Sequence, residues 1–169
     1  MKKINKIILT AIIALSSLTF TFAQSKVAHI NTQELVASMP EMNTAKAELE
    51  KLAKTYETDI QTMAAELQSK VKQYDTEAPN QTDEENQKRL QEVQGMEQSI
   101  RQYQQQAQSD LQKKEFDLLK PISEKAQAAI IKVANAQGFD YVLDSTQGQG
   151  VILANGKDLM GDVKSELGF

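Results

Sequence analysis

Residues 45–74 read AKAELEKLAKTYETDIQTMAAELQSKVKQY. Apolar side chains recur in this stretch every 11 residues, in three passes of one pattern: Ala45, Leu49, Leu52, Tyr56, Ile60, Met63, Leu67, Val71 and Tyr74. Eleven residues over three turns give ~3.67 residues per turn, close to the value of an undistorted α-helix. The pattern therefore predicts a long, nearly straight helix, whereas a heptad repeat would have imposed a left-handed supercoil.

The same interval returns after a break near Pro79. Two parallel rows carry it, Ile100, Leu111, Ile122 and Val133 in one and Met96, Ala107, Leu118 and Ala129 in the other. Two striped helices joined by a turn bury their stripes against each other. We therefore predict an antiparallel α-helical hairpin, called the arm here, over residues 41–120 with its tip near residues 77–82.

Typical start and stop signals mark the two ends of the second helix of the arm, called the return helix here. Thr82 followed by Glu85 forms a capping box, and Gly138 is a residue that commonly ends helices. The helix can thus extend to about Gln137, well past the first one. Pro121 within it predicts a kink or soft joint, or else a break between two helices; the unbroken row of apolar residues favours continuity.

The two ends of the chain are predicted to form a small β-containing head, residues 24–40 and 121–169. Strands are expected at 27–30, 139–144 and 151–154, the last two joined as a hairpin through Gly148 to Gly150, with short helices capped by Asn31 and Asp158. The fold class is therefore α+β, mostly α, with the arm inserted in the head. A head this small is marginal alone, which points towards oligomerisation.

Residues 1–23 are typical of a secretory signal peptide. Lys2, Lys3 and Lys6 precede the apolar run Ile7–Leu15, and Thr21–Ala23 is a tolerable cleavage site. An uncleaved anchor is the alternative, but the apolar stretch is short for a bilayer. We expect export, and no stable membrane insertion after cleavage.

Charge and cysteine content limit the partners. Removal of the three lysines of the signal changes the formal charge from −4 to about −7, which argues against nucleic acid or an anionic membrane surface as the main partner. The chain has no cysteine, so disulfides and lipid attachment through a cysteine are excluded.

The sequence contains no convincing catalytic, metal or cofactor site, and we predict that the protein is not an enzyme. His29 is the only histidine and lies in a predicted strand without nearby partners, so a structural or exposed role is favoured over a ligand role. Gly150–Gly156 before Lys157 has the wrong spacing for a phosphate loop, and Asp158 replaces the required Ser or Thr.

Glutamines form a row of their own on the return helix. They follow a four-three spacing at Gln87, Gln91, Gln94, Gln98, Gln102 and Gln105. The row is either an ordinary solvated face or a wet, non-adhesive surface that faces a cavity or a bound protein.

With this order of elements, the chain resembles the Skp (OmpH) family of periplasmic chaperones for outer-membrane proteins. Three stretches carry the resemblance, Lys26–Asn31 with Pro40, Pro121–Asp144, and Asp158–Val163 with Leu167. It implies a homotrimer in which the strands of three subunits form a shared β-structure. Three arms would surround a cavity that holds unfolded outer-membrane proteins without ATP or any other cofactor; the residues that contact these clients are not assigned by the sequence.

The chain departs from the family in its charge. Known members have basic arms, whereas residues 41–120 here contain 11 basic and 16 acidic residues. A lipopolysaccharide-binding role is therefore not carried over, and attraction must rest more on apolar contacts. The competing interpretation is a structural coiled-coil protein of the envelope, an adaptor that binds one folded partner.

Overall fold

The computed structural model describes residues 25–169, and the predicted signal peptide lies outside them. The elements are β1 (Val27–Ile30), α1 (Thr32–Ser38), α2 (Pro40–Glu77), a 3₁₀ turn (Ala78–Asn80), α3 (Asp83–Gln137), β2 (Tyr141–Asp144), β3 (Lys157–Asp158) and α4 (Met160–Leu167). The fold is mostly α with one small sheet, as the sequence predicts.

Helices α2 and α3 form the predicted antiparallel arm, and both ends of α3 have the predicted capping residues. The Thr82 hydroxyl accepts a hydrogen bond from the backbone N–H of Glu85 at 3.2 Å. Gly138 ends α3 with a φ of 70°, a left-handed conformation that glycine adopts without a steric penalty. Helix α3 is continuous through Pro121, so the interpretation as two separate helices is wrong, while a soft joint there stays a prediction.

The sheet has the order β2-β1-β3, and both outer strands run parallel to β1. The predicted β-hairpin is therefore wrong: residues 151–154 form no strand, and residues 157–158 pair with Ala28 and His29 instead. The reason is topological. Parallel strands on either side of β1 require the chain to travel back along the sheet after Asp144, which a tight turn cannot achieve.

The extra length of α3 belongs to the core of the head. Its apolar row continues past the arm and buries Ile122, Ala126, Ala129 and Val133. These residues join a cluster whose most fully buried large side chains are Ile30, Leu35, Met39, Leu159 and Val163. One helix thus links the arm and the head by a single apolar face.

Asp144 connects the end of β2 to the start of α1. Its carboxylate accepts hydrogen bonds from the hydroxyl of Thr32 at 2.6 Å and from the hydroxyl and backbone N–H of Thr146 at 2.6 and 2.9 Å. Burial alone would raise the pKa of Asp144, but these hydrogen bonds outweigh it and hold the pKa at about 2.

We predict that Asp144→Asn destabilises the head by about 1–3 kcal/mol, because the amide cannot accept all of these hydrogen bonds. Because the pKa of Asp144 is depressed, the direction in which stability changes with pH can be predicted. The ionised carboxylate stabilises the fold above its ordinary pKa of 3.8, and this contribution is lost as the pH falls towards 2. Chemical unfolding between pH 5 and pH 2 should therefore show a shallower loss of stability in the variant.

The matched control is Glu34→Gln, an exposed carboxylate on α1 whose side chain makes no hydrogen bond within the described residues. It should leave the acid limb of the stability curve unchanged. Equal acid sensitivity of wild type and Asp144→Asn would contradict the assignment.

Candidate binding surfaces

The seam between α2 and α3 is only partly closed. The apolar positions of the 11-residue rows that fall within the arm lie in this seam and are buried or partly buried. However, from residue 46 to residue 106 no side chain is fully buried. A hairpin of two helices without a third layer leaves apolar surface accessible along its whole length.

Two tyrosines tie the arm helices together near the middle of the arm. Tyr56 of α2 donates a hydrogen bond to Asp110 of α3 at 2.8 Å, and Tyr103 of α3 donates one to Asp59 of α2 at 2.6 Å. Their rings meet edge to face with centroids 5.7 Å apart. Because each helix contributes both a donor and an acceptor, the pair fixes the register of the hairpin.

A third tie lies near the tip. The Tyr74 hydroxyl and the Lys70 ammonium both contact the carboxylate of Glu92 at 2.5 Å. Arg89 stacks over the Tyr74 ring, 4.6 Å from its centroid, and pairs with Glu77 at 2.8 Å. The arm is therefore stiffened at its end as well as at its middle.

An open groove of about 750 Å³ lies between the arm helices on the head side of the tip; we call it the arm groove. Both helices supply its apolar lining, Leu49, Ala53, Tyr56, Ile60, Ala107 and Leu111. Its polar lining consists of glutamines and glutamates. This surface can take up extended apolar segments through contacts along the helices.

The groove continues towards the head. Gln112 and Glu115 line both the arm groove and a neighbouring hollow of about 520 Å³ that contains Phe116 and Leu119. Phe116 is 64% exposed, which is unusual for a large aromatic side chain in an ordered helix. The arm thus presents a continuous, partly apolar surface.

The glutamine row predicted from the sequence lies outside the groove. All six of its members are exposed, consistent with a solvated face. A different set lines the groove, Gln104, Gln108 and Gln112, and sequence reasoning missed it. The sequence signal that could have identified them is their spacing of four residues, next to Ala107 and Leu111 of the apolar rows.

The head has a second apolar surface, which we call the head surface. Val27, Tyr141 and Leu143 lie on one face of the sheet and are 44%, 60% and 45% exposed. In the segment between β2 and β3, Ile152 and Leu153 are also strongly exposed. Apolar side chains that share one face of a small sheet are typical of an interface between subunits.

Within residues 25–169, no group of histidine, cysteine and acidic side chains could hold a metal ion. His29 lies in β1, partly buried, and its Nδ1 has no hydrogen-bond partner among these residues. None of the helices in this part of the chain is long and apolar enough to cross a membrane.

Comparisons with known proteins agree with this architecture. The model of a family described as outer membrane protein (OmpH-like) matches residues 26–167. The crystal structure of a candidate outer membrane chaperone (OmpH-like) from Caulobacter crescentus CB15 is similar, with a TM-score of 0.77 and 18% sequence identity over 86% of this chain and 85% of that chain. At this identity the likeness shows a shared fold. Among curated proteins, no sequence matches this chain.

The tie between Tyr103 and Asp59 gives a spectroscopic prediction. The hydrogen bond to Asp59, with desolvation, raises the pKa of Tyr103 to about 12 from its ordinary value of 10.0. The protonated phenol therefore stabilises the arm below pH 10, and this contribution is lost as the pH rises through 12. In an alkaline titration followed by tyrosinate absorbance, Asp59→Asn should move one late-titrating tyrosine to lower pH.

The control is Asp117→Asn, which removes an exposed carboxylate of α3 that makes no hydrogen bond or ion pair within the described residues. It should leave the late step in place. Identical titration curves for wild type and Asp59→Asn would show that the tie does not form in solution.

Proposed function

This chain belongs to the OmpH-like family of outer membrane proteins, whose model spans residues 26–167, and we propose that it is a periplasmic holdase chaperone. It binds unfolded outer-membrane proteins between helical arms and prevents their aggregation without ATP. The observation that carries the proposal is the partly closed seam, which leaves the arm groove open along two rigid helices. We infer that residues 41–120 act as the arm and that residues 24–40 and 121–169 act as the head.

Holding in this way depends on many weak contacts. Apolar segments of an unfolded chain gain free energy when the groove removes them from water, and each contact alone is small. Several arms that surround one client raise the effective concentration of binding sites, while each contact still dissociates quickly. Binding the unfolded chain by mass action keeps its free concentration low, so aggregation slows without an energy source.

The head surface supports the proposal of an oligomer. A small head with a largely exposed Tyr141 and an unprotected Ile152 is poorly shielded as a monomer, and burial against other subunits removes this apolar surface from water. The number three comes from the resemblance to the family. Three heads joined in this way would place three arms around one cavity.

The proposed location follows from the sequence. A cleaved signal over residues 1–23 delivers the chain across the inner membrane to the periplasm. Because the chain has no cysteine, an oxidising environment there does not affect its fold. The acidic mature chain favours solubility and gives no attraction to anionic lipid.

We predict that the mature protein forms a trimer by multi-angle light scattering and keeps an outer-membrane β-barrel protein soluble after dilution from urea, in a complex of defined mass and without nucleotide. Turbidity should stay low at stoichiometric amounts of trimer. A dimer or longer rod that lets the barrel protein precipitate would favour the structural adaptor that binds one folded partner.

Assembly and holding should be separable by mutation. Leu143→Glu places a charge on the head surface and should convert the trimer to monomer, because burial of an unpaired carboxylate is costly. Phe116→Glu adds the same charge to the exposed arm surface and should keep the trimer while weakening the protection of the client. Circular dichroism checks that both variants keep their helices, and an unchanged mass for Leu143→Glu would contradict the role of the head surface.

A further inference from the structure

We propose that the arm groove selects segments that combine apolar side chains with lysine or arginine. This inference rests on the proposed holdase function and names the kind of client segment that the groove favours. It follows from the charges that line the groove, which are all of one sign.

The lining of the arm groove is charged with one sign only. Glu50 and Glu57 of α2 and Glu115 of α3 contribute carboxylates, and no lysine, arginine or histidine lines the groove. The remaining polar lining consists of glutamines, which can donate and accept hydrogen bonds with an extended backbone but carry no charge. Apolar surface and negative charge therefore occur side by side on both walls.

Two of the three carboxylates have no cation of their own. Glu57 pairs with Lys54 at 2.8 Å. In contrast, Glu50 and Glu115 are exposed and make neither a hydrogen bond nor a salt bridge with any residue of the described part of the chain. Their charges are thus available to a bound segment from opposite walls of the groove.

The neighbouring hollow does not cancel this charge. Glu115 lines the hollow as well, beside the exposed Phe116. The hollow contains one cation, Lys120, and this lysine lies 4.0 Å from the carboxylate of Glu124. A segment that runs along both surfaces therefore meets apolar side chains together with the unpaired carboxylates of Glu50 and Glu115. Lysine and arginine suit this position, because their long apolar stems cover apolar surface while their charged ends reach the carboxylates.

Charge complementarity of this kind also disfavours the opposite segment. An acidic apolar segment would bring like charges next to Glu50 and Glu115, which is repulsive and costs affinity. Exposed ion pairs are individually weak and are screened by salt, so the preference should be moderate and should depend on ionic strength.

The test compares fluorescent peptides of equal length and equal apolar content that carry lysine and arginine, glutamine, or aspartate and glutamate at the same positions. Anisotropy with the full mature protein should give binding of the cationic peptide on the order of 10-fold tighter than the anionic one at low salt. The difference should shrink as the ionic strength rises.

Matched variants locate the effect. Glu50→Gln combined with Glu115→Gln should remove most of the preference. The control combines Glu66→Gln with Asp117→Asn, which makes the same change in net charge at exposed arm positions outside the groove, and it should keep the preference. Equal loss in both pairs would overturn the inference, since net charge alone would then explain the selection.

The absence of cysteine from the chain allows a direct readout of position. A fluorophore on Gln108→Cys, within the groove, should respond to the cationic peptide, and one on Ser69→Cys, an exposed arm position outside it, should not. A response at both positions would show that binding is not confined to the groove and would overturn the inference.

Failure of the inference is distinguishable from failure of the proposed function. If the wild-type protein keeps the urea-diluted barrel protein soluble but binds all peptides equally, or binds none, charge selection by the groove is wrong and the holdase function stands. If the barrel protein also precipitates, the holdase function is wrong as well.

Discussion

A hairpin of two helices can bury only the stripe that each helix turns towards the other. This constraint governs the molecule from Lys46 to Gln106, where no side chain is fully buried. Stability of the arm must therefore come partly from polar ties across the seam, and Tyr56, Tyr103 and Tyr74 provide them. The same shortage of apolar partners leaves the arm groove open, so the feature that limits the stability of the arm also creates the surface that we propose binds clients.

The head also has apolar side chains that no other element of the chain covers. Its core draws on α1, α3, α4 and the buried face of the sheet, while Val27, Tyr141 and Leu143 remain exposed on the opposite face. The arm surface mixes apolar groups with glutamine and glutamate, but the exposed face of β2 presents Tyr141 and Leu143 without charged neighbours from the same strand on that face. The two surfaces thus differ in polarity, as transient and permanent interfaces do in other proteins.

Much of this architecture could be predicted from the sequence, because the signals are local. The 11-residue rows predicted both long helices, and Thr82 and Gly138 predicted the two ends of α3. The prediction of a β-hairpin was wrong because strand pairing here depends on β1, which is remote in sequence from residues 151–158. The reciprocal ties of Tyr56 and Tyr103 and the lining of the groove were missed for a similar reason: they depend on the register between two helices, which no single stripe determines.

The position of β1 has a consequence for the order in which the chain acquires structure. The backbone N–H of Lys26 donates a hydrogen bond to the carboxylate of Asp140, 114 residues further along the chain. The two arm helices, in contrast, follow one another in sequence and are joined by one short turn. During synthesis the N-terminus emerges first, so the two arm helices can pair before the partner strands of β1 are available. Only a chain completed through residue 158 can therefore form the three-stranded sheet of the head, so a truncated chain lacks this sheet by topology alone.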